Sequence, residues 1–204
     1  LIEALKLDRP IVGGHSRGAA VSIYLAADYP HLTRGIFLED PPIILPGEKF
    51  GSGEQVVNHA EIGKMMAKFM RMFKLMPRFI GVVIAKKNSP TYPDDEIYPW
   101  VDSKKRLSFD FLASLATMGI TLAGPIEPIR KVQVPVLLFI GDKEKMSIVS
   151  QEAAQKVVEA NERVRVIHLA GASHDIRRTR FDGYLAALKD FLAEIYKERG
   201  AIFP

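Results

Sequence analysis

Pro10-Ile11-Val12-Gly13-Gly14-His15-Ser16-Arg17-Gly18-Ala19-Ala20 decides how the chain is read. A short apolar run ends in glycines, and the alanine-rich segment Ala19–Tyr29 follows and stops at Pro30. The first part reads as a buried parallel strand and the second as a buried helix. Between them stands Gly14-His15-Ser16-Arg17-Gly18, a G-x-S-x-G in the strand–turn–helix setting that the motif requires. A serine on so sharp a turn needs small neighbours two residues away on each side, and Gly14 and Gly18 fill those places. Ser16 is then a candidate nucleophile. The helix N-terminus and the backbone N–H of Arg17 are placed as one half of an oxyanion hole for a carbonyl held at Ser16. The plainer alternative is a glycine-rich turn with an incidental serine, and the flanking elements speak against it.

Outward from this stretch, Gly35–Glu39 reads as a second strand, stopped by Asp40-Pro41-Pro42. Leu1–Leu7 reads as the last turns of a helix. Beyond Pro125, strand and helix alternate again over Val134–Ile140, Val149–Ala160, Val164–Leu169 and Arg180–Arg199. This alternation implies an α/β protein with a mostly parallel sheet. The middle differs. Ile43–Gly53 reads as a loop, and Val56–Met76 as an amphipathic helix with apolar residues at 62, 65, 66, 69, 70, 73 and 76. Shorter helices are expected at Pro77–Lys87 and Ser108–Gly119, around a loop at Ser89–Pro99. The expected division is therefore core over 1–42, a helical lid over 43–124, and core again over 125–204. A lid inserted there would stand over the strand ends, where open parallel sheets bind ligands.

The 204 residues carry 28 Lys+Arg against 24 Asp+Glu, a net charge of +4, with 48% apolar and 25% charged residues. That is globular composition, which excludes a disordered chain. The absence of cysteine excludes disulfide scaffolds, thiolate metal sites, iron–sulfur clusters and thiol catalysis. No run of apolar residues is long enough to span a bilayer. No spacing of His, Asp and Glu suggests a metal, and no second glycine-rich loop suggests a nucleotide, so no cofactor is expected. The first residue is Leu1 and not Met, so the chain is expected to lack its natural beginning. A cytoplasmic location is expected with a leader peptide left open.

Five histidines compete to be the base. His15 belongs to the serine turn and is expected to point away from a pocket. His31 follows a proline at a helix end, His59 lies in the lid, and His168 reads as a core or sheet-face residue within a strand. His174 remains, in Leu169-Ala170-Gly171-Ala172-Ser173-His174-Asp175, a loop at the carboxyl end of the last strand. A mobile imidazole there reaches a serine at another strand end.

The motif Gly14–Gly18, the run Pro135-Val136-Leu137-Leu138-Phe139-Ile140-Gly141-Asp142 and Gly171-Ala172-Ser173-His174 together resemble the α/β-hydrolase fold, in its lidded, esterase-like branch. The likeness runs from Leu1 to about Arg199. It implies a Ser-His-Asp/Glu triad and acyl transfer to water in two steps, with Ser16 attacking, His174 carrying the proton and a carboxylate orienting the ring. In the family that acid usually lies three residues after the glycine closing the penultimate strand, which here is Glu144 in place of the usual Asp. Some members carry it instead after the strand that follows the nucleophile helix, which here is Asp40. Asp142 is the third candidate. Glu39 is expected on the opposite face by strand alternation. Family members also begin with further strands and a loop that supplies the second oxyanion donor, and these are expected ahead of Leu1. A serine nucleophile disfavours the dehalogenases and epoxide hydrolases of this fold, which use aspartate. Arg17 beside it resembles the arginine that holds a substrate carboxylate in haloacid dehalogenases; an ion pair or packing on the lid is the preferred reading.

Residues 62–93 hold Lys64, Lys68, Arg71, Lys74, Arg78, Lys86 and Lys87 and no acid, and five of the seven methionines fall at 65, 66, 70, 72 and 76. Methionine adapts to varied apolar shapes, so Met65, Met66, Phe69 and Met70 are candidate substrate contacts. A basic amphipathic helix also suits anionic lipid, but a packed helix with a solvated face is preferred. No recognition motif accompanies the charge, so no nucleic acid is expected. The expected activity is hydrolysis of a small or medium carboxyl ester or lactone. The competing expectation is a non-catalytic or weakly catalytic small-molecule-binding protein on the same fold. Oligomeric state and substrate identity stay open.

Overall fold

The computed structural model describes residues 1–48, 59–90, 92–118 and 126–197. The chain divides into two compact units, Leu1–Gln55 with Ala123–Pro204, and Val56–Leu122.

The first unit is built on four parallel strands in the order β1-β2-β3-β4. They are β1 (Ile11–His15), β2 (Gly35–Glu39), β3 (Val136–Ile140) and β4 (Val164–His168). Helix α1 (Arg17–Asp28) follows β1 and packs on β1 and β2. All five residues of β3 are buried, because helices cover both faces of its part of the sheet. Side-chain alternation sorts the core into two layers. Ile36, Leu38, Val136, Leu138 and Ile140 pack with Ala19 and Ile23 of α1 and with Val157 of a later helix. Leu137 and Phe139 point the other way, toward Ile176, Tyr184 and Phe191. In register, His15 stands beside Glu39, and Glu39 beside Phe139.

The helices of the second unit are α2 (His59–Leu75), α3 (Arg78–Asn88), α4 (Asp94–Lys105) and α5 (Phe109–Met118). They close around Phe73, Val82, Ala85, Ile97 and Val101. Helix α4 occupies much of the stretch expected to be a loop. Its apolar residues Ile97 and Val101 are one turn apart, its first turn is acidic (Asp94, Asp95, Glu96) and its last turn basic (Lys104, Lys105), all of which favour a helix. Pro99 lies inside it, on the exposed side, where the carbonyl that loses its N–H partner can face water. The acids of α4 take up part of the charge noted over 62–93. Arg78 bonds Asp102 and Lys86 bonds Asp94, both at 2.7 Å.

Back in the first unit, α6 (Ile126–Arg130), α7 (Gln151–Ala160), α8 (Ile176–Thr179) and α9 (Phe181–Lys197) complete the chain. The short α6 and α8 have too few residues for a legible helical period. Ser150 caps α7 by accepting the N–H of Ala153 at 2.9 Å. Leu1–Leu7 forms hydrogen-bonded turns and not a helix, ended by positive φ at Lys6 and Arg9. Ile43 and Leu45, expected in the lid, are buried in the core of the first unit. The expected loop residues 49–53, the helix start 56–58, Gly119 and 198–199 lie outside the described residues. Among the described residues, no helix is long and apolar enough to cross a membrane.

Leu138 is completely buried at the centre of the sheet. Replacement by alanine leaves a cavity that neighbouring strands cannot close, so Leu138→Ala is expected to lower unfolding free energy by about 2–5 kcal/mol. Urea denaturation checks this, with an unchanged slope.

Candidate active site

Strand β1 ends at His15 and α1 starts at Arg17, so Ser16 alone makes the turn. It adopts φ 54° and ψ −120°, a region costing a non-glycine residue on the order of 1–3 kcal/mol. The turn is held from both ends. The N–H of Ser16 donates to the carbonyl of Glu39 at 2.8 Å, and its own carbonyl accepts from Ala19 and Ala20 at 3.0 and 3.3 Å. The hydroxyl makes no helix-capping bond, which leaves Oγ uncommitted to the backbone. Arg17 is the first residue of α1, where helical geometry gives its N–H no acceptor. Its side chain is exposed and forms no ion pair among the described residues, in contrast to the ion pair preferred above.

The two glycines of the motif are not equivalent. A Cβ on Gly14 would lie 2.1 Å from the backbone carbon of Gly18, so the strand must pass the helix without a side chain. A Cβ on Gly18 meets nothing within 4 Å. The expectation that both positions must lack bulk is therefore corrected. Among the described residues, only the upstream one is crowded.

Asp40 follows β2 directly, is fully buried, and has φ 44°. Its carboxylate meets four donors. Oδ1 accepts Ser147 Oγ at 2.8 Å and the N–H of Val149 at 3.0 Å. Oδ2 accepts the N–H of Ile148 and His174 Nδ1, each at 2.7 Å. Since a carboxylate only accepts, this bond puts the proton of a neutral His174 on Nδ1 and leaves the Nε2 lone pair for a substrate-side proton. The His174 side chain is 27% exposed against 0% for its acid, the asymmetry expected of a base that must be reached and an orienting group that must not.

Of the three candidate acids, the structure brings only Asp40 to His174. Glu144 sits exposed in a 3-10 turn at Lys143–Lys145. The chain there loops outward and returns at Ser147, whose hydroxyl bonds both Asp40 and the N–H of Gly141. Asp142 is engaged elsewhere, accepting the N–H of Gly171 at 2.7 Å and pairing with His168 Nε2 at 2.8 Å. The Gly171 N–H first, and His168 second, hold its carboxyl below the usual range. Of the two expectations for His168, core or sheet face, the structure gives the second: it lies at the exposed end of β4.

His15 is the larger correction. It does not point away. Its ring centroid lies 4.4 Å from that of His174, and its Nε2–H donates to the His174 carbonyl at 3.0 Å. Burial first, and the facing His174 second, push its pKa down from the ordinary 6.5. Glu39 lies on the same side of the sheet, 2% exposed, and accepts from Arg177. Sequence reasoning missed Arg177 and Ser147. A buried acid at the end of an apolar strand was the available signal for Arg177, since a buried charge needs a partner.

His31 is exposed beside Tyr29, and the side chain of His59 is outside the described residues. Met65 and Phe69 are exposed on α2, while Met66 and Met70 are half-buried. The Phe69 ring packs 4.9 Å from Phe73 within the second unit. No group of three or more His, Asp or Glu residues able to hold a metal occurs among the described residues.

A parallel sheet with a strained serine between strand and helix, and a histidine–aspartate pair on later strand ends, defines the hydrolase class of α/β folds. The chain belongs to the alpha/beta hydrolase family, whose profile matches residues 1–187. Solved structures agree in fold. The N-formylmaleamic acid deformylase of Pseudomonas putida S16 superposes with a TM-score of 0.68 at 14% identity, over 91% of this chain and 68% of that one. An E-2-(acetamidomethylene)succinate hydrolase gives 0.68 at 21% identity, over 94% and 69%. An N-acyl homoserine lactone degrading enzyme gives 0.60 at 17% identity, over 93% and 70%. A search of curated proteins by sequence finds no match.

Two outcomes follow from the turn and its neighbour. Gly14→Ala is expected to abolish the folded state, while Gly18→Ala folds with a melting temperature near that of the parent; circular dichroism on both checks this. For His15, the lowered native pKa means that its neutral form stabilises the fold fully above pH 6.5, and this contribution is lost as pH falls through the lowered value. The His15 imidazole is expected to titrate below 6.5 by NMR. Stability should fall on acidification more steeply in the parent than in His15→Gln.

Proposed function

We propose that the protein is a serine hydrolase that cleaves a small or medium carboxyl ester or lactone without a cofactor. Ser16 Oγ attacks the carbonyl carbon, and His174 Nε2 takes the hydroxyl proton and returns it to the leaving alcohol. Water then repeats the sequence against the acyl-serine, with His174 again as base. Asp40 holds the ring by Nδ1 and stabilises the imidazolium that forms. The N–H of Arg17 donates to the developing oxyanion.

The observation that carries this reading is the 2.7 Å bond from His174 Nδ1 to a fully buried Asp40. It comes with a strained serine turn whose preceding residue packs on that same histidine. Met65, Met66, Phe69 and Met70 stay candidate contacts for the acyl part of a substrate, on the adaptability of methionine.

A fluorophosphonate probe tests the proposal, because it reacts only with an activated serine. Labelling is expected in the parent and absent in Ser16→Ala. Failure to label the parent supports the competing reading, a ligand-binding protein. With a chromogenic ester, Asp40→Asn is expected to lower kcat by about 10⁴-fold, from loss of the ring's orientation and tautomer. Glu144→Gln should leave kcat unchanged, and a large loss there would overturn the choice of acid.

A further inference from the structure

We infer that Glu39 and Arg177 form a positioning pair that sets the backbone carrying His174, an inference that rests on the hydrolase reading of that histidine. Glu39 Oε1 accepts the backbone N–H of Arg177 at 2.9 Å, and Oε2 accepts Nη1 of the same residue at 2.7 Å. One carboxylate thus grips both the main chain and the side chain of one residue, three positions after His174. Asp40, the very next residue to Glu39, grips the His174 ring. Two consecutive residues at one strand end therefore hold the same loop at two points.

Asp142 holds the start of the loop at Gly171, and Thr179 Oγ1 accepts from Ser173; the Glu39 carboxylate adds the anchor beyond His174. Helix α8 has four residues, too few to be stable by its own hydrogen bonds. Its first turn is held instead by the Glu39 carboxylate at its N–H end, the favourable end for a negative charge. Stability alone does not account for the pair. Burying the Glu39 carboxylate has a desolvation penalty that an apolar residue would avoid, and its partner Arg177 stays 34% exposed, so such a pair is weak support for fold stability. An apolar residue at 39 would also leave the N–H of Arg177 without its acceptor.

The third side of the arrangement is His15. It stands beside Glu39 in the strand register, packs against the His174 ring at a tilt of 44°, and donates to the His174 carbonyl. The charged and titratable groups that act on it are His174 and Asp175 in the loop, Glu39 on β2 and Arg177 on α8, with Tyr184 of α9 also near Glu39. Glu39 favours the charged form of His15, and Arg177 opposes it. The ion pair holds the loop, while burial and the facing His174 keep a cation from forming on His15; Arg177 offsets only part of the pull that Glu39 exerts toward the charged form.

The test uses Glu39→Gln, Arg177→Met and Arg177→Lys in the whole protein, with circular dichroism to establish folding. Imidazole NMR reads the His15 titration midpoint, and the low-field proton resonance reads the His174–Asp40 bond. Fluorophosphonate labelling reads the rate at Ser16. In Glu39→Gln the low-field resonance is expected to broaden or vanish, the His15 midpoint to fall, and labelling to slow by roughly 10- to 100-fold, the effect of a misplaced base. In Arg177→Met the His15 midpoint should rise, and Arg177→Lys should bring it back. A purely structural pair would leave the low-field resonance and the labelling rate unaltered in a folded variant, whereas the His15 midpoint follows the change of charge in either case. Folded Glu39→Gln with parental resonance and labelling rate overturns the inference. If Glu39→Gln does not fold, a parental low-field resonance and labelling rate in folded Arg177→Met overturn it equally. Failure of the hydrolase reading is distinguishable, because the parent would then be unlabelled while the two NMR signals still report on the clamp.

Discussion

A carboxylate taken out of water must find donors for its oxygens, and the first unit is arranged around one that does. Asp40 draws its four donors from two places that are distant in sequence: Ser147, Ile148 and Val149 before α7, and His174 after β4. Together the bonds fix the loops at the carboxyl ends of β3 and β4. An unpaired charge at that depth costs several kcal/mol, so the loops are not free to drift without a large penalty. The positive φ of Asp40 turns the carboxylate into this cradle, and the surrounding bonds hold it in that sparsely populated region.

The same strand end serves two faces of the structure. Glu39, still within β2, faces the layer that contains Phe139 and Tyr184, where it meets Arg177. Asp40, one residue beyond, turns toward the loop before α7. Burial near Glu39 also acts on Tyr184, whose hydroxyl is pushed up to about 12 and so stays protonated through the physiological range. The consequence is an electrostatic separation at close quarters. His15, biased toward its neutral form, packs on the one histidine proposed to gain and lose a proton, and behind it stand an ion pair and a neutral phenol.

Much of this was legible beforehand, for physical reasons that differ by element. The strands at Gly35 and Val136 were readable because buried parallel strands are continuous apolar runs bounded by glycine and proline, and the strand at Ile11 carries the same signature although it is only half-buried. The serine turn was readable because its chemistry imposes a local spacing. The choice between Glu144 and Asp40 was not, because it depends on where a loop returns in space, and local spacing says nothing of that. Helix α4 was hidden by Pro99, which carries a strong local preference against helix but little weight on an exposed side with Ile97 and Val101 packed beneath. His15 was misjudged because strand alternation gives the face of a residue and not which loop folds over that face. Gly18 was overread for a related reason: the motif permits bulk there as far as the described neighbours go.

The separation of these partners along the chain also orders their appearance in time. His15 pairs with Glu39 across 24 residues, but His174 reaches Asp40 only across 134. Loop closure over such distances is slow compared with local turn formation. During synthesis the serine turn can therefore take its strained shape against β2 long before an imidazole exists to serve it. A nascent or prematurely ended chain would display the proposed nucleophile without its base, and would be inert until β4 and the loop after it had emerged.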